Sequence, residues 1–204
     1  MKSVWSIDAV SEYPLSQPMV GQEKFYHYFK NFIDTINTTN MARIFPLIAD
    51  WGIGKSRIGF ELISEVIGKD KGWVVRGDNN NSKEVTLLKD NFENEILPIY
   101  ISYNDMNHED LGYDSWVAFG TYIALKGLAN HDRRNSNIQS FREKVASDLV
   151  NHLKPMGFSE DKLKNILRLN EYSEEDVLDK SLVDEIINEA HEYFKDFGIN
   201  HFMI

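Results

Sequence analysis

The sequence predicts an α/β fold in which parallel strands alternate with helices, and three observations lead to this prediction. Short apolar runs and segments with helical spacing of apolar residues follow one another through the first half of the chain. A glycine-rich loop lies between one such run and an amphipathic segment, as in a strand–loop–helix unit. From about residue 115 to 197 the chain is rich in predicted helices, and this stretch is too long for one crossover. We therefore expect a sheet with parallel strands and a helical insertion or subdomain at 115–197.

The region before the glycine-rich loop predicts an irregular arm, one helix and one strand. Residues 1–18 form the arm, which is punctuated by two prolines. Apolar residues then recur at helical spacing until a polar cluster at Asn37–Asn40; they are Phe25, Phe29, Phe32, Ile33 and Ile36. The run Ile44–Ile48 is predicted as a strand because the following loop requires one, although Pro46 is unfavourable in a central strand.

The region after the loop begins with a predicted helix from about Lys55 to Ile67, which Gly68 ends. The next expected elements are a short strand at Trp73–Val75, a loop at 77–84, a helix at Val85–Glu95, a strand at Ile96–Tyr103 and a loop at Asn104–Asp114. The helical stretch then contains predicted helices at Ser115–Leu128, Phe141–Leu153, Glu160–Leu169 and Ser181–Phe197. Ser181 is the expected N-cap of the last helix and Gly198 its stop signal.

The final apolar run, His201–Ile204, is predicted to begin a strand. A folded domain seldom ends inside a buried strand, because the rest of the ladder would be lost. We therefore expect one domain at 19–204 that is truncated at its C-terminal end, within a longer protein. An unpaired apolar edge there favours self-association or a partner protein.

The composition restricts the classes of function. The 204 residues include no cysteine, which excludes disulfides, thiolate metal sites and cysteine nucleophiles. The net charge of -10 does not support a general cationic surface for nucleic acid, although a local basic stripe stays open. No apolar run approaches the ~20 residues of a membrane span, and the N-terminal arm contains no apolar run long enough for a signal-peptide core. We therefore predict a cytoplasmic protein without a membrane partner.

The strongest motif is the loop Ala49–Ser56, ADWGIGKS, which matches the phosphate-binding Walker A pattern except that Ala49 replaces its first glycine. The two glycines let successive backbone N–H groups point at phosphate oxygens. Lys55 is placed for the β and γ phosphates, and the Ser56 hydroxyl for Mg²⁺. The motif therefore predicts binding of ATP with Mg²⁺, against the alternative of a glycine turn with an exposed lysine. The predicted nucleotide-binding residues here are Ala49, Asp50, Trp51, Gly52, Ile53, Gly54, Lys55, Ser56 and Arg57.

The segment PMVGQEKFYHYFKNFI followed by IADWGIGKSRIGFELI resembles the opening of AAA-plus and related STAND-type or KAP-type ATPases. The resemblance covers residues 18 to about 67 and, loosely, the strand at 96–103. It implies a P-loop NTPase domain with a three-layer αβα sheet, and it implies that Met19–Gln22, with Val20 and Gly21, lies near the adenine base. An ordinary helix-start turn is the alternative for these two residues. The form WGIGKS is similar to predicted ATPases of bacterial multi-gene systems, including phage defence.

Hydrolysis would require an acidic residue at the end of another strand, in addition to Lys55. The better candidate strand is the last one, so we expect the acidic pair to follow Ile204 and this chain alone to hydrolyse ATP weakly or not at all. Asp105, after ILPIYISYN, is the weaker candidate within the chain. Arg133 and Arg134 are either an arginine finger or a solvated loop. The function hypotheses are therefore an ATPase used as a motor or switch, a P-loop kinase with a small acceptor, or a nucleotide-gated module that does not hydrolyse ATP.

Overall fold

The computed structural model describes two compact units, Met1–Glu93 and Asn94–Ile204, each with its own sheet. The described residues are 17–37, 44–46, 48, 54–76, 82–88, 95–101, 113–130, 141–172 and 178–204. Their mixture of helices and short strands, some of them parallel, confirms the predicted α/β class.

The first unit contains two helices and a three-stranded sheet of order β1-β2-β3. Its elements are β1 Met19–Val20, α1 Glu23–Asn37, α2 Lys55–Val66, β2 Trp73–Arg76 and β3 Ser82–Val85. β1 pairs parallel with β2, and β2 pairs antiparallel with β3. The α1 and α2 helices and the β2 strand were expected from the sequence within a few residues.

Aromatic side chains form the core between α1 and β2. Phe25 stacks on Phe29 at 5.3 Å and on Trp73 at 5.4 Å between ring centroids. Phe45 closes the cluster with edge-on contacts to Phe25 and Phe29. Aromatic pairs in these arrangements stabilise a core beyond the area that they bury. The cluster fixes α1 against the strand that follows α2.

In the second unit, the helices lie between the two strands in the sequence, and these two strands pair in parallel. The elements are β4 Ile96–Pro98, α3 Tyr113–Ala129, α4 Phe141–Leu153, α5 Glu160–Ile166, α6 Lys180–Lys195 and β5 His201–Met203, with a 3-10 helix at Lys154–Met156. Ile96 is in register with His201. Ser159 accepts a hydrogen bond from the Lys162 amide at the start of α5. The parallel pairing of the final strand agrees with the strand predicted from His201.

The α3 helix carries the core of the second unit. Its inward residues Leu125, Leu128 and Ala129 are fully or nearly fully buried. Gly120 lies on the same helix against the Ile101 side chain, where a Cβ atom would approach within 2.5 Å. A larger residue at this position would require the Ile101 side chain or the helix to shift.

Three local predictions were wrong, and pairing with β2 accounts for the two that concern the loop at 77–84 and the start of the helix at 85–95. Residues 44–46 and 48 of the predicted strand are not in a strand, and Ile48 is 91% exposed. Ser82–Val85 is a strand paired with β2 instead of a loop, which also removes Val85 from the predicted helix at 85–95. Thr86, Leu87 and Leu88 are likewise not helical.

The start of α6 corrects another prediction. The N-cap is Asp179, whose carboxylate accepts from the Leu182 amide at 3.1 Å, and Ser181 lies inside the helix. Asp179 has the extended backbone that an N-cap needs, with ψ of 158°. Among the described helices, none combines the length and apolar character needed to cross a membrane.

Candidate functional site

The first turn of α2 begins directly after Gly54, the last glycine of the predicted phosphate loop. Gly54 has φ 89° and ψ 23°, a left-handed conformation that glycine adopts without a Cβ penalty. It is the N-cap and offers no side-chain hydrogen bond to the helix. The first intrahelical bond runs from the Ile58 amide to the Gly54 carbonyl at 3.0 Å. Amides that precede Ile58 therefore lack an intrahelical acceptor, which is the usual basis of anion binding at a helix N-terminus.

The inner face of α2 holds this N-terminus in place. Ile58, Phe60, Leu62 and Ile63 are all buried, with exposures of 7% or less. Ser56 lies on the exposed side and Lys55 is half-buried. Lys55 and Ser56, which are predicted to contact phosphate and Mg²⁺, therefore lie outside the buried face of α2.

The β1 strand and the glycine after it form the second part of the candidate site. The Met19 amide donates to the Gly72 carbonyl at 2.9 Å, and Met19 is buried. Val20 is 67% exposed, and Gly21 follows with φ of 75°. The strand thus ends in an exposed apolar side chain and a left-handed turn before α1 begins.

The Arg57 side chain joins these two parts. Its Nη2 donates to the Gln17 carbonyl at 3.1 Å and to the Pro18 carbonyl at 3.4 Å. Both carbonyls directly precede β1. The guanidinium therefore bridges the first turn of α2 and the segment that enters β1.

Two buried glutamates on α2 were missed by the sequence analysis. Glu61 is fully buried, and its Oε1 accepts from the amides of Lys71 at 3.0 Å and Gly72 at 2.5 Å. Its Oε2 has no partner among the described residues. Burial raises the pKa of Glu61 to about 7, and the charges of Glu65 and Asp70 act in the same direction, although the two amides oppose them. The side chain fastens α2 to the turn before β2.

Glu65, one turn further on, makes a larger set of contacts. Its Oε1 accepts from Trp73 Nε1 at 2.6 Å, and its Oε2 accepts from the amides of Leu87 and Leu88 at 2.8 and 2.6 Å. Burial raises its pKa, against the effect of these donors. Both glutamates are buried and accept hydrogen bonds from the protein, so they support the fold around α2. The signal in the sequence is their i, i+4 spacing among the apolar residues of α2.

The remaining predicted site residues are distributed as follows. Gly54, Lys55, Ser56, Arg57, Val20 and Gly21 are described and belong to the first unit. The rest of the loop, 49–53, lies outside the described residues, as do Asp105, Arg133 and Arg134. Among the residues that the structure describes, no group of three His, Asp or Glu side chains is arranged to hold a metal ion.

No protein-family model, curated protein or solved structure matches this chain. What the chain binds is therefore inferred from its own residues.

Proposed function

We propose that this chain is the ATP-binding module of a P-loop ATPase, with the triphosphate at the N-terminus of α2. The observation that carries the proposal is that the Walker A sequence leads into a helix whose N-cap is a left-handed glycine without a capping side chain. A loop of this kind directs backbone N–H groups and the positive end of a helix at one anion.

Each predicted residue has a defined part in the proposed site. The backbone of Ala49–Gly54 encloses the phosphates, and the amides at the start of α2 complete the cradle. Lys55 contributes a positive charge to the β and γ phosphates, and Ser56 ligates Mg²⁺. The exposed Val20 and the turn at Gly21 contact the adenine base. Mg²⁺ would offset much of the triphosphate charge in a chain whose own net charge is -10.

ATP hydrolysis by the proposed module needs an acid that orders Mg²⁺ and the attacking water. Asp105 is the candidate within the chain. Conversion of nucleotide state into motion or a binding switch, as in defence-type ATPases, is the wider role that we propose.

Calorimetric titration with Mg²⁺–ATP tests the phosphate site. Lys55→Ala is expected to weaken binding by roughly 10-fold to 100-fold, the effect of losing a charge-assisted contact. The matched control is Lys24→Ala, which removes one exposed lysine from α1 of the same unit. Equal affinity of the Lys55→Ala variant and the wild type would exclude this helix N-terminus as the phosphate site.

Magnesium dependence tests the role of Ser56. The wild type is expected to bind ATP more tightly with Mg²⁺ than with excess chelator, because the metal joins the Ser56 hydroxyl to the phosphates. Ser56→Ala should reduce this difference while it leaves metal-free binding nearly unchanged. A wild type that binds ATP equally well with and without Mg²⁺ would rule out Ser56 as a metal ligand.

A further inference from the structure

Arg57 follows the two residues with proposed phosphate and metal roles, but its side chain is used elsewhere. Its Nη2 lies within hydrogen-bond distance of the carbonyls of Gln17 and Pro18, at 3.1 and 3.4 Å. The first of these contacts spans 40 positions of the sequence. Its Nε is buried and has no hydrogen-bond partner among the described residues. The Nη2 group of Arg57 is therefore used by two backbone carbonyls.

Glu61 makes a second connection from the same face of α2, one turn after Arg57. Its Oε1 accepts from the Lys71 and Gly72 amides, and the Gly72 carbonyl in turn accepts from the Met19 amide of β1. Gly72 has φ of 74°, and an added Cβ would lie 3.3 Å from the Val85 carbonyl oxygen. The turn that transmits this connection is therefore restricted to glycine.

The two connections reach the same short segment from different sides. Arg57 contacts the carbonyls at 17 and 18, and the Glu61 connection ends at the amide of Met19. The next residues are Val20 and Gly21, which form the base side of the proposed nucleotide site. The first turn of α2 forms its phosphate side. The Arg57 bond to Gln17 is exposed and its bond to Pro18 is part-buried, whereas the Glu61 bond to the Gly72 amide is buried. Hydrogen bonds from two side chains to one segment together restrict the separation of two parts of a site.

We infer that the Arg57 side chain is a positioning residue and not a phosphate ligand. Together with Glu61, it holds the segment Gln17–Val20 against α2. This fixes the distance between the base side and the phosphate side of the proposed nucleotide site. This inference rests on the proposed nucleotide site. The Arg57 backbone amide, in the first turn of α2, keeps its predicted place in the phosphate cradle.

The binding affinities of two ligands distinguish a positioning role of Arg57 from a direct contact between its charge and phosphate. The probes are Mg²⁺–ATP and Mg²⁺–tripolyphosphate, which has the phosphates but no base. Arg57→Gln is expected to weaken ATP binding by about tenfold, the size of one lost hydrogen bond to a charged group. Tripolyphosphate binding should change no more than in the control Arg76→Gln, which removes an exposed arginine from the end of β2.

Two other outcomes of these titrations would overturn the inference. Equal losses for ATP and tripolyphosphate, beyond those of the control, would make the Arg57 charge a phosphate contact. An unchanged affinity for ATP would remove its positioning role. If Arg57→Gln does not fold, Arg57→Lys takes its place, since lysine keeps the charge but lacks the planar set of donors. A loss confined to ATP supports positioning in that variant as well.

Hydrogen exchange without nucleotide keeps this inference separate from the proposed function. Arg57→Gln should speed exchange of the Met19 and Val20 amides relative to the wild type and to Arg76→Gln, because the segment loses one of its two connections. Unchanged exchange there would overturn the positioning role. If the wild type binds neither ligand, the proposed function fails, and the exchange rates alone decide whether Arg57 holds this segment.

Discussion

At the scale of single residues, replacing either of two glycines near the start of α2 by alanine should change the stability of the protein in opposite directions. Gly54 is left-handed with φ of 89°, whereas Gly59 lies within the helix and has no atom within 4 Å of an added Cβ. Gly54→Ala should lower the free energy of unfolding by about 1–2 kcal/mol, the cost of a left-handed L-residue, and should weaken ATP binding. Gly59→Ala should raise it by roughly 0.5–1 kcal/mol, because alanine favours helices. Urea unfolding measures both; the same sign for the two variants would refute the assigned role of Gly54.

A second residue-scale prediction concerns Glu61 and pH. Its pKa is about 7 in the folded protein, against 4.5 for an ordinary glutamate, because burial disfavours the carboxylate. The folded protein therefore retains this proton to higher pH than the unfolded chain. The resulting stability is fully present below pH 4.5 and is lost as the pH rises through about 7. The loss amounts to a few kcal/mol at most, at about 1.4 kcal/mol per pKa unit.

The matched experiment measures the free energy of unfolding of three proteins between pH 4.5 and 8. Glu61→Gln, which cannot ionise, should show a shallower fall with pH than the wild type. The free energy of unfolding of this variant should still fall somewhat with pH, because burial also raises the pKa of Glu65. Glu84→Gln removes an equal charge from an exposed position on β3 and should keep the wild-type slope. Parallel curves for wild type and Glu61→Gln would show that the carboxyl does not titrate in this range.

At the scale of elements, the packing of α3 depends on its glycine at 120. A Cβ there would lie 2.5 and 2.7 Å from side-chain carbons of Ile101, too close for any real contact. Gly120→Ala should therefore destabilise the protein by roughly 1–3 kcal/mol, as overpacked cores do. Gly127→Ala, in the same helix with open space around it, should be neutral or slightly stabilising. Thermal unfolding of both variants checks this, and a stable Gly120→Ala would mean that α3 does not pack closely on Ile101.

The helices were predictable from the sequence because their signals are local. In α1, Phe25, Phe29 and Ile33 recur at helical spacing, and all three are buried in the structure. The start of α2 at Lys55 follows from the glycine-rich motif before it, which requires a helix there. Periodicity and turn chemistry act within a few residues, so one sequence is enough to identify them.

The strands and the supports of the site were less predictable because their partners are distant in the sequence. The β3 strand, SKEV, is polar and is defined by its antiparallel pairing with β2. Glu61 looks like a solvent-facing helix residue until the amides at 71 and 72 are seen to lie against it. The carbonyl partners of Arg57 lie about forty residues earlier. The motif therefore predicts the proposed site, whereas the residues that hold it require the structure.

At the scale of the whole molecule, the described strands of the two units belong to two different sheets. Each sheet contains one parallel pair, β1 with β2 and β4 with β5. The described strands thus form a three-stranded and a two-stranded sheet, and the single P-loop sheet stays a prediction. Every described residue of the proposed site belongs to the first unit.

The division into two units predicts which backbone amides nucleotide binding protects from hydrogen exchange. A ligand that binds only the folded state slows opening of the structure that forms its site. Saturating Mg²⁺–ATP should therefore slow hydrogen exchange at Val20–Gly21, at the start of α2 and in its buried middle around Phe60. The buried part of α6, around Ile186 and Ala190, belongs to the second unit and should exchange at the same rate with and without ATP. Lys55→Ala is the control, since it should remove the protection of α2. Equal slowing in α6 would show that the nucleotide acts on both units, and slowing in α6 alone would place the site outside the first unit.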